Sequence, residues 1–85
     1  MVIFAAQIRA ARGLLKISQA ELAQEAGLAT ITIQTLEGGD ESIKKAQFSS
    51  LLKIREALEK RGIKFLFQAN ENNKITRIGV EIAVH

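Results

Sequence analysis

One stretch constrains this chain more than any other: SQAELAQEAGLATITIQTLEGG, residues 18–39. Its first part reads as a short helix. Ser18 offers a hydroxyl N-cap and Glu21 stands three residues on, so SQAE is a capping box. Leu22 and Ala26 supply an apolar face, Ala23 is small enough for another helix to cross close to it, and Gly27 gives the positive φ that stops the helix. The residues that follow present a conflict. Thr30-Ile31-Thr32-Ile33 alternates polar and apolar residues, all four β-branched, which taken alone favours a strand. A helix over residues 30–37 instead puts Leu28, Ile33 and Leu36 inward and Ile31, Gln34 and Thr35 outward, with Gly38-Gly39 closing it. The capping box, the Gly27 turn and the inward set favour the helix. Each β-branched residue costs a few tenths of a kcal/mol of helix propensity, which packing overrides. Two short helices joined at AGLA make a helix-turn-helix.

The flanking segments supply the rest of a small fold. Phe4, Ile8, Ala11 and Leu15 recur at steps of four, three and four, one face of a helix whose polar side carries Arg9, Arg12 and Lys16. GGDESIKKAQ reads as a polar loop. FSSLLKIREALEKRG has a broad apolar stripe of Phe48, Leu51, Leu52, Ile54 and Leu58, a Glu56–Lys60 pair at i,i+4, basic residues at its C-terminal end, and Gly62 as its stop. The period then changes to two. IKFLFQ puts Ile63, Phe65 and Phe67 on one side; ITRIGVEIAV puts Ile78, Val80, Ile82 and Val84 on one side; the asparagine-rich ANENNK between them turns the chain into a hairpin. The expected fold is mainly α, four to five helices in residues 1–62 followed by a C-terminal β-hairpin in residues 63–85, the two parts forming one unit. At 85 residues the chain suits a single small domain.

Several function classes are disfavoured. There is no cysteine for a nucleophile, a disulfide or a thiolate metal site, and the lone histidine is His85 at the C-terminus. No phosphate loop and no carboxylate cluster at metal spacing occurs, so no enzyme, metal or cofactor is expected. No apolar run approaches the ~20 residues of a membrane span. In MVIFAAQIRAAR the arginines follow the apolar residues, the wrong order for a signal peptide, and a cytoplasmic location is expected. The net charge of +3 permits nucleic-acid binding without establishing it. The basic surplus lies late, from Lys44 and Lys45 onward.

With those residues in view, the span from about Phe4 to Leu58 resembles the lambda-repressor-like, XRE-type helix-turn-helix domain of phage repressors, Cro proteins and many bacterial regulators. SQAELAQEAG follows that family's pattern closely, and IxTLEGG resembles its ending in Glu-x-Gly. Arg12 and Glu37 sit where the family carries a paired arginine and acid. The resemblance implies that they form a structural salt bridge clamping the reading helix to the first helix. Two positions depart from the pattern. Lys16 stands where most members have glycine, which costs on the order of 1 kcal/mol if the backbone there is left-handed, and the loop after Gly39 lacks the usual proline.

The resemblance further implies a sequence-specific, double-stranded DNA-binding regulator, a homodimeric repressor reading a palindromic operator through its third helix in the major groove. Position by position, Thr30, Ile31, Gln34 and Thr35 then face bases. Gln34 has the group for a bidentate contact to adenine, Ile31 has methyls for a thymine methyl, and no arginine is placed to read guanine. Candidate phosphate contacts are Gln19 at a helix start, Thr32 or Thr35 beside the reading face, and Lys44 and Lys45. Ser18 reads as a plain N-cap. Phe65, Phe67, Ile78, Val80 and Ile82 are too many apolar residues for an isolated ribbon. They pack either on the flank of the long helix or, as the favoured expectation, on a second subunit. Two other functions compete with the repressor: the antitoxin of a toxin–antitoxin pair, with the hairpin binding the toxin protein, and an interaction module without DNA contact.

Overall fold

Residues 2–84 are described by a computed structural model. Among the described residues five helices, α1 (Ala5–Leu15), α2 (Gln19–Ala26), α3 (Thr30–Glu37), α4 (Asp40–Lys45) and α5 (Phe48–Lys60), are followed by an antiparallel hairpin of β1 (Ile63–Ala69) and β2 (Ile75–Ile82). His85 lies outside the described residues.

The contested TITI segment is helical. α3 buries Ile33 and Leu36 fully, half-buries Leu28 just ahead of it, and leaves Ile31, Gln34 and Thr35 exposed. α2 has both arms of its capping box. The Glu21 N–H donates to Ser18 Oγ at 3.0 Å, and the Ser18 N–H donates to Glu21 Oε1 at 3.2 Å. Gly27 ends α2 at φ +71. Ala23 is buried where α2 and α3 pack. Gly38-Gly39 closes α3 as expected, Gly38 with a right-handed helical backbone and Gly39 extended.

The expected loop after Gly39 contains α4. Asp40 Oδ1 accepts the Ala5 N–H at 2.8 Å and so caps α1 from a distance, while Ile43 is buried. A single inward isoleucine on one short turn leaves little periodicity to read. The long helix is also less two-sided than its stripe suggested. Leu51, Ile54 and Leu58 are buried, but Phe48 is 64% exposed and Leu52 is also exposed. Its surface pair is Arg55–Glu59 at 3.4 Å, not Glu56–Lys60. Arg61 reaches across to Glu25 on α2 through a two-toothed contact, Nε to Oε1 at 2.7 Å and Nη2 to Oε2. The hydrogen bond from Arg61 is the main reason the Glu25 carboxyl lies below its usual range.

Lys16 caps α1 with φ 57 and ψ 40, a left-handed backbone. A side chain there costs about 1–2 kcal/mol, and the extra freedom of glycine in the unfolded chain returns about half of that. Lys16→Gly is therefore expected to stabilise the protein by about 0.5–1 kcal/mol. Denaturant unfolding followed by far-UV circular dichroism checks this.

The hairpin pairs within the chain. Its register sets Ile63 opposite Ile82, Phe65 opposite Val80 and Phe67 opposite Ile78, so the apolar side chains share a face. Asn70 closes the turn: its side chain accepts the Asn72 and Lys74 N–H groups at 2.9 and 3.0 Å. Ile63 and Phe65 are buried, and Val80 and Ile82 pack on the same core. Gln7, wholly buried on α1, fastens the ribbon. Its Nε2 donates to the carbonyls of Gly79 at 2.9 Å and Leu66 at 3.2 Å, while its Oε1 accepts the Phe4 N–H at 2.9 Å. Arg55 lies over the rings of Phe65 and Phe67, 5.2 and 5.7 Å from their centres.

Candidate nucleic-acid interface

α3 is positioned by one buried carboxylate. Glu37, at its last turn, is 6% exposed. Arg12 on α1 meets it with a fork: Nε to Oε2 at 2.6 Å and Nη2 to Oε1 at 2.9 Å. The remaining Arg12 nitrogen, Nη1, donates to the Ile17 carbonyl at 3.0 Å. Gln19 Nε2 donates to Glu37 Oε1 at 3.1 Å, and Arg9 Nη1 donates to the Glu37 backbone carbonyl. One residue thus joins α1, the start of α2 and the end of α3. Burial on its own would push the Glu37 carboxyl up. The hydrogen bonds from Arg12 and Gln19, with the charges of Arg12 and Arg9, outweigh burial and hold it below the usual range. The bidentate geometry is the strong form of this contact.

The Arg12–Glu37 clamp expected from the resemblance is therefore present as a salt bridge. Two of its members were not anticipated. Arg9 stands three residues before Arg12, on the same side of α1, and that spacing was the available signal. Gln19, expected at a phosphate, turns its side-chain amide into the clamp instead.

The clamp leaves one face of α3 outward. Thr30, Ile31, Gln34 and Thr35 are exposed, Ile31 to 65%, and Thr32 is half-buried. No side chain caps the N-terminus of α3. A groove of about 350 Å³ between α3, α4 and the start of α5 gathers Ile31, Thr32 and Thr35 with Lys45, and adds Gln47 and Ser50. Thr30 and Gln34 lie outside this groove, on the exposed surface of the same helix. Lys44 is separated from it; its ammonium pairs with Glu41 at 3.2 Å in an exposed contact. The residues expected at a second subunit divide. Phe65 is buried in its own chain, Val80 and Ile82 are half-buried against the same core, and Phe67 and Ile78 remain 37% exposed.

Among the described residues there is no group of histidine, cysteine or acidic side chains arranged to hold a metal, and no helix is long and apolar enough to cross a membrane. No protein-family model matches the chain, and no characterised protein matches it in sequence.

Proposed function

We propose that this protein is a sequence-specific double-stranded DNA-binding transcriptional regulator with the lambda-repressor-like arrangement, acting as a homodimeric repressor on a palindromic operator. The observation that carries the reading is the outward face of α3. A short helix exposes Thr30, Ile31, Gln34 and Thr35 while the buried Glu37 carboxylate, paired with the half-buried Arg12, fixes its other side to α1. A helix held from behind in this way is a rigid reading element, suited to entry into a major groove about 12 Å wide. Thr32 and Lys45 line the groove beside it, and in this reading they meet the backbone of the same duplex. With no charged residue on that face, affinity depends on phosphate contacts and on doubling the site.

Selection of bound sequences from a random duplex library tests the reading. The expected product is an A/T-leaning palindrome with half-site centres about one helical turn (~34 Å) apart. Recovery of no enriched sequence contradicts it. Ile31→Ala removes a thymine-methyl contact and no core contact, so it is expected to weaken binding to the selected site about three- to tenfold with unchanged folding. Fluorescence anisotropy at fixed salt checks this, and unchanged affinity removes Ile31 from the reading surface.

Phe48, exposed at the start of α5, and Leu52 one turn on favour a second, protein-binding reading. In that reading the chain is an antitoxin that binds both its operator and a toxin. A neighbouring toxin gene and co-purification of its product distinguish it from a simple repressor.

A further inference from the structure

The hairpin has an unused edge. Among the described residues β2 pairs only with β1, so its other side has no strand. The ladder shows which groups that edge presents. The Ala83 N–H donates to the Gly62 carbonyl at 3.3 Å. Pairs of this kind alternate along an antiparallel ladder, so Glu81 opposite Lys64 and Gly79 opposite Leu66 also turn their backbone groups toward β1. Ile78, Val80 and Ile82 therefore direct their N–H and C=O groups to the open edge.

The side chains along β2 are self-complementary about one point. Arg77 and Glu81 lie on one face, two residues either side of Gly79, and neither has an ion-pair partner in the chain among the described residues. If a second copy of β2 pairs antiparallel about a two-fold axis at Gly79, Arg77 of each strand stands opposite Glu81 of the other. In the same register Ile78 faces Val80 of the second copy, and these residues carry the outward hydrogen-bonding groups. Centring the axis on Arg77 or Glu81 would set like charges against each other, and centring it on Ile78 or Val80 would leave both charges unpaired.

Gly79 fits this axis. Its own chain does not require a glycine there: φ is not positive, and an added Cβ would meet nothing closer than Leu66 Cδ1 at 3.9 Å. A glycine within a strand often marks a bulge, a bend or the close approach of another backbone, and the ladder has no irregularity at the Leu66–Gly79 pair. The apolar surface also continues beyond the strand. Ala10 and Leu14 follow Gln7 at steps of three and four on α1, on the side that reaches the hairpin, and both are exposed, Leu14 to 46%.

We propose that β2 is the dimerisation edge, pairing with β2 of a second copy about Gly79 to form a four-stranded sheet registered by two Arg77–Glu81 contacts. This rests on the homodimeric part of the reading above and is independent of the DNA contact.

The test uses the full chain without DNA. Light scattering after gel filtration at micromolar concentration is expected to give a dimer for the native protein. Arg77→Glu is expected to weaken dimerisation about tenfold or more, since two attractive pairs become repulsive. The double variant Arg77→Glu/Glu81→Arg is expected to restore it, as is mixing the two single variants. Gly79→Cys places a thiol in a chain that has none. At a non-hydrogen-bonded pair the Cα atoms lie about 4.5 Å apart, within disulfide range, so it is expected to oxidise to a covalent dimer. Arg77→Cys serves as a control, because its two copies would stand roughly 13 Å apart along the strands. A native monomer, a dimer indifferent to Arg77→Glu with no rescue by the double variant, or equal cross-linking of the two cysteine variants overturns the proposal. A dimer that passes these tests but binds no duplex leaves this interface standing and removes the DNA reading.

Discussion

Replacing Glu37 with alanine is expected to lower stability by about 2–3 kcal/mol. The reason lies on the partners. Arg12, 22% exposed at its side chain, would keep its charge beside an emptied site, and the Gln19 amide would lose its acceptor. Urea unfolding followed by far-UV circular dichroism checks the loss; the chain has neither tryptophan nor tyrosine for fluorescence. The same carboxylate gives the protein an acid-sensitive step. The Glu37 carboxyl is held below its ordinary value when folded, so the contribution is fully present above the unfolded carboxylate pKa of about 4.3 and is lost as pH falls through the folded value. Stability of the native protein should therefore fall over that acidic window. Glu37→Gln should start lower at neutral pH and show a shallower fall. A variant with native stability at neutral pH would show that α3 is held by its apolar residues alone.

Gln7→Ala is expected to cost about 2 kcal/mol and to loosen the hairpin selectively. The truncation opens space where an amide was wholly buried and leaves the Phe4 N–H without its acceptor. The two hairpin carbonyls lose a donor but keep their ladder partners, which limits the penalty. Amide hydrogen exchange separates this from general destabilisation. Protection should fall most in β1 and β2, and least in α2 and α3, which share no hydrogen bond with the Gln7 side chain. A uniform loss across all elements would contradict the role given to this side chain.

The legibility of the fold varies with how many residues specify each element. α2 and α3 were readable because a capping box, a left-handed glycine and an inward apolar set agreed, and together they outweighed the β-like alternation of residues 30–33. The hairpin was readable from its change of period and its asparagine turn. α4 was not, because six residues with one buried isoleucine look like any polar loop, and its stabilising contact, Asp40 to the Ala5 amide, spans distant parts of the chain. Gln7 was hidden for a related reason. A glutamine beside an apolar face normally reads as solvent-facing, and only the hairpin's backbone carbonyls make it a core residue. Phe48 and Leu52 lie on the apolar stripe of α5 yet stay exposed, because periodicity gives a face without saying how wide its cover is. At the interface, the exposed set Thr30, Ile31, Gln34 and Thr35 follows from helical spacing alone. The diversion of Gln19 into the Glu37 clamp does not, since it depends on where α1 and α3 meet.

Amide chemical-shift mapping of the full chain against a duplex recovered by selection tests most directly whether α3 meets DNA. The predicted result is a set of salt-sensitive perturbations centred on Thr30, Ile31, Gln34 and Thr35, extending to Thr32 and Lys45 and sparing the Ile63–Ala69 strand. Perturbations confined to the hairpin, or none at a duplex concentration well above that of the protein, would contradict it.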